Sequence, residues 1–210
     1  MLDNMDWFVD NLKNNIPFGF SRFNDGEMMG ISQVGSVVAR GDQTVDSTLS
    51  VALRESILHR QKNYYIGVPC SLCYPAYNKL ALELVGDYEY TTKAVVTTNK
   101  NWKHFMDTFP DAIGDKRLLW IGGDDQDTDA LKNVGLNVVK KGLIPRKNSW
   151  RYYKHILESF PKNFQDGDIV CASLGPTARV LVKDWFEAMP NITFIDIGSI
   201  YLVGITQEYY

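Results

Sequence analysis

The feature that most constrains the fold is an alternation of short apolar runs with stretches of helical periodicity. Most runs are nearly continuous in apolar residues, as strands are when both faces of a sheet are covered, and each leads into a glycine, a proline or a polar turn. We therefore predict an α/β protein with a mostly parallel sheet. The predicted strands are residues 63–68, 94–97, 117–121, 136–139, 168–172 and 193–197.

Helices are predicted between these strands. In the first of them, apolar residues recur at helical spacing, and Asp46 or Ser47 can cap the helix start. No repeat, low-complexity segment or linker divides the chain, so we expect residues 1–210 to form a single domain with helices flanking the sheet. The predicted helices are residues 46–62, 74–85, 101–109, 125–133, 149–160 and 176–189.

The composition argues against several classes of protein. Hydrophobic residues make up 45% and charged residues 22% of the chain, so a packed core is expected rather than disorder. The net charge of −3, without a basic block, argues against a nucleic-acid partner. No apolar run approaches the ~20 residues of a membrane span, and the N-terminal segment is acidic and polar, unlike a signal peptide. We expect a cytoplasmic protein with no transmembrane segment.

The three cysteines include one close pair, Cys70 and Cys73, and the distant Cys171. The C-x-x-C spacing could suit a redox or a zinc site. However, no second cysteine pair follows, the three histidines are scattered along the chain, and the surrounding residues do not resemble thioredoxin. We therefore predict structural or incidental thiols, since free cysteines are usually small buried hydrophobes.

Two carboxylates, Asp25 and Glu27, flank Gly26 near the start of the chain. In an extended or turn segment both side chains can face the same side, where they suit a hard divalent cation that shares substrate phosphates. Arg22 could pair with such a phosphate or hold the acids in place. Asp-Gly is also a favoured surface-turn dipeptide, so the spacing alone leaves both interpretations open.

Further candidate residues follow predicted strands, where open α/β sheets place their ligands. Gly175, Pro176 and Thr177 precede or open a helix, so their backbone can face an anion such as a diphosphate; an ordinary strand-to-helix turn is the alternative. Gly122 and Asp124 could contact a base or ribose, although the glycine spacing of a nicotinamide site is missing.

Asn148 lies in another segment after a predicted strand, together with Arg146, Lys147 and Trp150. This set could bind phosphate and stack on a ring, and a solvated helix start is an equally good interpretation. The sequence contains no G-x-S-x-G nucleophile elbow, H-E-x-x-H motif or G-x-x-x-x-G-K-[ST] loop, which argues against the hydrolase and P-loop classes.

Five stretches, taken in order, resemble the GT-D-fold glycosyltransferases, a family first catalogued as a bacterial domain of unknown function. RFNDGE at 22–27 resembles that family's R-F/Y-G-D-G-E signature, and WIGGDDQ at 120–126 falls where the family has an apolar strand followed by G-R-D-like residues. IPRKNSW at 144–150 is similar to its V-P-x-x-N-A-F segment, LGPTARVL at 174–181 to its A-L-G-P-T-A-x-V-L segment, and DIG at 196–198 to its closing D-I-G-H.

The resemblance implies a Rossmann-like domain that moves a sugar from a nucleotide-diphosphate donor to a hydroxyl of a glycan or glycoprotein acceptor. UDP is the expected donor nucleotide. The D-x-E pair binds the metal in that family, so Asp25 and Glu27 are expected to hold Mn²⁺ or Mg²⁺ and to take part in catalysis. Asp196 and Asp124 are candidates for the group that takes the acceptor proton.

The sequence also departs from the family pattern. Asn24 replaces a glycine, and Ser199 and Tyr201 stand where the family has a histidine and an aspartate. We expect the change at Asn24 to be mild, because asparagine tolerates unusual backbone angles. The changes at Ser199 and Tyr201 imply either a different acceptor or impaired activity. The alternative functions are a non-catalytic nucleotide- or sugar-binding module, a metal-dependent phosphohydrolase and a purely structural partner-binding domain.

Overall fold

A computed structural model of the protein describes Leu2 and residues 5–32, 37–39, 43–97 and 101–198. Seven strands of this part of the chain form one parallel sheet, and two form an antiparallel hairpin. The strands are β1 (Gly19–Arg22), β2 (Val37–Ala39), β3 (Gln43–Val45), β4 (Tyr64–Val68), β5 (Thr91–Lys93), β6 (Leu118–Gly123), β7 (Val138–Ile144), β8 (Ile169–Ser173) and β9 (Thr193–Asp196). The spatial order in the sheet is β5-β4-β1-β9-β8-β6-β7, and β2 and β3 form the hairpin.

Helices cover both faces of the sheet. They are α1 (Asp6–Lys13), α2 (Asp25–Ser32), α3 (Ser47–Leu58), α4 (Pro75–Val85), α5 (Trp102–Ile113), α6 (Tyr153–Ser159) and α7 (Pro176–Ala188), with 3₁₀ helices at Ala130–Val134, Ser149–Tyr152 and Phe160–Asn163. One apolar cluster joins α2, α3, α4, α6 and α7 to the sheet, and a second joins α1 and α5. Connections between strands that run in the same direction across the sheet pass over the same face of it, because crossovers between parallel strands have one hand. No helix in the described ranges is long and apolar enough to span a membrane.

The predicted mostly parallel sheet with flanking helices is confirmed. Four predicted strands lie within two residues of β4, β6, β8 and β9, and β7 begins two residues later than predicted and is longer. The strand predicted at 94–97 is wrong, because the chain pairs with β4 through Thr91–Lys93 and then turns. The apolar run that suggested a strand there places Ala94 and Val96 in the core from a turn.

The helix predicted at 125–133 is also wrong in its first half, where the chain forms turns before the 3₁₀ helix Ala130–Val134. Several elements were not predicted at all: α1, β1, α2 and the β2–β3 hairpin. β1 was missed because it is short and carries Ser21 and Arg22, although all its residues are buried in the middle of the sheet. Its polar side chains have partners that are distant in sequence.

The order of the strands creates a topological switch point between β6 and β8. After β6 the chain runs outward to β7, whereas after β8 it runs through α7 in the opposite direction to β9. All seven strands are parallel, so their carboxyl ends meet at one edge of the sheet. Open α/β sheets bind ligands at this edge, in the crevice at such a point.

Candidate active site

Four buried charged side chains meet at the carboxyl edge of the sheet, and we call them the charged cluster: Arg22, Glu27, Arg179 and Asp196. Each residue is at most 6% exposed. They come from the end of β1, the first turn of α2, the second turn of α7 and the end of β9. Two positive charges face two negative charges, which offsets the large cost of removing isolated charges from water.

Arg179 is at the centre of the charged cluster. Its Nη2 lies 3.3 Å from Glu27 Oε1, and its Nε lies 3.1 Å from Asp196 Oδ2. Nε also donates to the backbone oxygen of Arg22 at 2.6 Å, and Nη1 donates to the backbone oxygen of Gly175. One side chain therefore fixes the start of α7 against β1, β9 and α2.

Asp196 uses both of its carboxylate oxygens within this cluster. Oδ2 accepts the Arg22 N–H at 3.1 Å and lies 3.7 Å from Arg22 Nε, while Oδ1 accepts the Gly198 N–H at 3.1 Å. Burial lowers the pKa of the Arg22 guanidinium, and the adjacent Asp196 carboxylate opposes that effect. With 1% exposure, Asp196 is better placed to hold the two arginines than to take a proton from an acceptor.

Asp25 and Glu27 lie on the first turn of a helix, so the prediction of an extended or turn segment is wrong. Side chains two apart on a helix do not face each other. Glu27 points inward to Arg179, and its Oε2 accepts the N–H of Asn24 at 3.0 Å, as the third residue of a capping box does. Asp25 is half-buried on this turn.

Asp25 and Glu27 each still have the chemistry of a ligand for a divalent cation, although their side chains leave the helix in different directions. Within the described part of the chain, no three histidine, cysteine or acidic side chains are grouped to hold a metal ion. Mg²⁺ commonly needs only one or two carboxylates, because substrate phosphates and water complete its shell. Each carboxylate has about four lone-pair sites, so the hydrogen bonds of Glu27 leave it acceptor capacity.

Gln126 fills the switch point between β6 and β8. Its Nε2 donates to Ser173 Oγ at 2.8 Å and to Ser173 O at 3.2 Å, and its Oε1 accepts the Trp120 indole N–H at 2.9 Å. A Cβ on Gly122 would lie 2.1 Å from Gln126 Oε1, so the glycine makes room for this amide. Gln126 therefore occupies the space next to Gly122, and no sequence signal distinguished Gln126 from its polar neighbours.

Asp124 and Asn148 follow β6 and β7 at the carboxyl edge of the sheet. Asp124 is exposed, and its Oδ1 accepts the Arg146 N–H at 3.3 Å. Asn148 has a left-handed backbone with φ 51°, and its Oδ1 accepts the Thr44 N–H at 2.8 Å. Asn148 thus joins the segment after β7 to the β2–β3 hairpin, a contact that could not be read from the sequence.

Gly175 follows β8, and Pro176 and Thr177 open α7, so these residues lie at the predicted junction of a strand and a helix. Gly175 has φ 55° and ψ −141°, a conformation that glycine adopts at little cost. Thr177 is 1% exposed, and its Oγ1 lies 2.9 Å from Ser149 Oγ. Ser149 and Arg179 therefore hold this turn in place, one through Thr177 and the other through the backbone oxygen of Gly175. The residues at the departing positions, Ser199 and Tyr201, lie outside the described residues.

No family model and no curated protein sequence matches the chain. Solved structures do match it. One is described as the highly conserved domain of unknown function 1792 with a distinct glycosyltransferase fold; it has a TM-score of 0.73 and 18% identity, covering 95% of this chain and 78% of the other. Another, a new glycosyltransferase of the same domain from Streptococcus sanguinis, has a TM-score of 0.71 and 18% identity, covering 94% of this chain and 80% of the other. The chain therefore has the fold of these glycosyltransferase structures over nearly its whole length.

Proposed function

We propose that the protein is a glycosyltransferase that moves a sugar from a nucleotide-diphosphate donor, with UDP as the expected nucleotide, to a hydroxyl of a glycan or glycoprotein. The observation that carries the proposal is the likeness of fold, over 95% of the chain, to a structure described as having a distinct glycosyltransferase fold. The motifs that resemble the GT-D family lie at the carboxyl edge of this fold. A cytoplasmic location also stays a prediction.

The donor diphosphate is proposed to bind where α2 and α7 begin. Both helices start at the carboxyl edge of the sheet, so the partial positive charges of their N-termini attract an anion to that edge. Arg179 links the two helix starts, because it pairs with Glu27 on α2 and donates to Gly175 before α7. A fixed array of donors stabilises the charge that develops on a leaving diphosphate without reorganising.

We propose Asp25 and Glu27 as the protein ligands of Mn²⁺ or Mg²⁺. Such an ion, when bound, supplies Lewis-acid stabilisation of the diphosphate leaving group. In this arrangement Arg22 and Asp196 act as positioning residues, since both are buried and paired with each other. Asp124 is the more accessible candidate for taking the acceptor proton, because its side chain is exposed at the end of β6.

The experiment that tests the proposal combines binding and turnover. Calorimetric titration of UDP is carried out with Mn²⁺ and with EDTA, and release of UDP from a panel of UDP-sugars is then measured with and without acceptor glycans. Binding that requires metal, followed by sugar transfer, is the expected result. If no nucleotide from a panel of UDP, GDP, CDP and dTDP binds, the proposal is wrong.

A non-catalytic nucleotide-binding module is the second candidate. It is favoured by the finding that Glu27 and Asp196 already bind arginines within the charged cluster. This candidate predicts metal-dependent nucleotide binding without release of UDP from any sugar donor. The phosphohydrolase alternative predicts release of inorganic phosphate from simple esters, so the same assays separate all three functions.

A further inference from the structure

Cys70 and Cys73 lie on an accessible turn, although the sequence predicted buried thiols. The turn joins β4 to α4 at the carboxyl edge of the sheet. Cys70 is half-buried, Cys73 is exposed, and Leu72 between them is 92% exposed. Only Cys171 has the buried environment that the sequence analysis predicted for the thiols. Neither the fold nor the proposed function explains why two thiols occur together here.

The backbone of this turn places the two cysteines three residues apart on one helical turn. The N–H of Tyr74 donates to Cys70 O at 2.9 Å, so residues 70–74 form a single helical turn immediately before α4 begins at Pro75. Residues three apart on such a turn have Cβ atoms about 5–6 Å apart, so a small adjustment brings them to the separation of a disulfide.

The surroundings make the two thiols chemically different. The backbone N–H of Cys73, its thiol and the N–H of Leu72 donate to the Cys70 sulfur, and together with the charge of Lys93 they lower the pKa of Cys70. The same contact with Cys70 raises the pKa of Cys73. A thiol with a stabilised anion beside a second, exposed thiol is the arrangement of an attacking and a resolving cysteine.

We propose that Cys70 and Cys73 form a thiol–disulfide exchange site whose co-substrate is a low-molecular-weight disulfide. The Cys70 thiolate attacks one sulfur of the small disulfide, forms a mixed disulfide and releases one small thiolate. Cys73, as its thiolate, then attacks the Cys70 sulfur, forms the Cys70–Cys73 disulfide and releases the second small thiolate. The two protons from the cysteines end on the two released thiols, so the protein is oxidised by two electrons and the small disulfide is reduced by two.

The exchange site lies beside the charged cluster. In the sheet Arg22 is in register with Gly67, and the N–H of Phe23 donates to Gly67 O at 2.8 Å. The two chain segments therefore leave the sheet side by side, one toward Asp25 and the other toward Cys70. Closing the disulfide fixes the β4–α4 turn next to the candidate donor site. The thiol chemistry itself does not depend on the proposed function.

The test uses the reduced full-length protein with glutathione disulfide under native conditions. Remaining thiols are alkylated at intervals, and the products are identified by intact mass and peptide mapping. The parent protein is expected to form the Cys70–Cys73 disulfide, while Cys171 stays a thiol and serves as the internal control. Cys73→Ser is expected to stop at the mixed disulfide on Cys70, and Cys70→Ser to react at Cys73 about ten-fold more slowly.

Two results would overturn the inference. One is a parent protein that carries only separate glutathione adducts, or unreacted thiols, at both positions. The other is an equal rate of adduct formation at Cys70 in Cys73→Ser and at Cys73 in Cys70→Ser, because the two thiols would then have no distinct roles. The parent reaction decides the first point without any substitution, so it does not depend on how the variants fold.

Discussion

Arg179 Nη2 and Glu27 Oε1 lie 3.3 Å apart, and neither side chain is more than 8% exposed. Glu27 belongs to the acidic pair proposed to hold a metal, yet in this structure it joins the first turn of α2 to Arg179 on α7. One carboxylate therefore has a structural role and a proposed ligand role. The consequences of removing each partner can be measured separately.

Arg179→Met is expected to lower the free energy of unfolding by roughly 3–5 kcal/mol, because it leaves two buried carboxylates, Glu27 and Asp196, without a main partner. The measurement is urea denaturation followed by circular dichroism at neutral pH. Methionine keeps the length of the aliphatic stem, so most of the loss reports the missing charge rather than a cavity.

The matched control is Lys183→Met, one turn further along α7. Lys183 pairs with Asp184 and Glu187 at a partly exposed position, where ion pairs contribute roughly 0–1 kcal/mol. Equal losses for Arg179→Met and Lys183→Met would contradict the role assigned to the charged cluster.

Asp25→Asn and Glu27→Gln are expected to differ in their effect on stability. Glu27→Gln removes the charge that faces Arg179 and should lower the free energy of unfolding by about 2–3 kcal/mol. Asp25→Asn, at a half-buried position of the turn, should lower it by about 1 kcal/mol or less.

On the proposed function, Asp25→Asn also weakens metal-dependent UDP binding by about ten-fold or more, since a ligand charge is lost. Denaturation and calorimetry on the same samples separate the two effects, and a nearly unchanged UDP affinity in Asp25→Asn would exclude it as a metal ligand.

Much of the sheet could be predicted from the sequence because its strands are buried on both faces and are read as apolar runs. This holds for β4, β6, β8 and β9. The same signal failed at 94–97, where apolar side chains are buried from a turn, and at β1, where Ser21 and Arg22 are buried by hydrogen bonds and ion pairs. Hydrophobicity reports burial, and it does not report how the backbone reaches the core.

The candidate site could be predicted only in part, for a related reason. The segments that meet at the carboxyl edge could be located, because each follows a strand, but the partners within the site come from residues far apart in sequence. Arg22 and Asp196 are 174 residues apart and Arg179 and Arg22 are 157 apart, so local spacing could not reveal the charged cluster. Arg179 stands in the LGPTARVL stretch, and nothing in that stretch points to Arg22, Glu27 or Asp196 as its partners.

Gly198→Ala is expected to disturb Arg22. Gly198 has φ 58°, and a Cβ there would lie 1.7 Å from Arg22 Nη2, so the guanidinium has to leave its present position beside Asp196. Gly86 is a close control, because its φ is 60° and a Cβ would meet nothing within 4 Å. In both variants the strained backbone should lower the free energy of unfolding by about 1–2 kcal/mol. The displaced guanidinium should lower that of Gly198→Ala by roughly a further 1–3 kcal/mol. Equal losses in urea denaturation would show that Arg22 adjusts without cost.

The N-cap of α3 is expected to make the stability of the protein depend on pH. Asp46 precedes that helix, and its Oδ1 accepts the N–H of Leu49 at 2.9 Å and the Thr48 hydroxyl at 2.7 Å. Burial raises the pKa of Asp46, but these hydrogen bonds outweigh that effect and lower it overall. A carboxyl whose pKa is lower in the folded state stabilises the protein above its unfolded pKa of about 3.9, and this contribution is lost as the pH falls through the lower folded value.

Asp46→Ala is therefore expected to cost about 1 kcal/mol at pH 7, the usual effect of losing an N-cap. The difference between the parent and Asp46→Ala should become smaller at a pH below the folded pKa of Asp46, where the parent carboxyl is protonated. Asp46→Asn keeps a neutral capping oxygen, so its stability relative to Asp46→Ala should not change with pH. Urea denaturation of the three proteins at pH 7 and at the lowest pH that preserves folding provides the measurement. A difference between the parent and Asp46→Ala that stays constant would mean that the carboxylate charge contributes nothing to the cap.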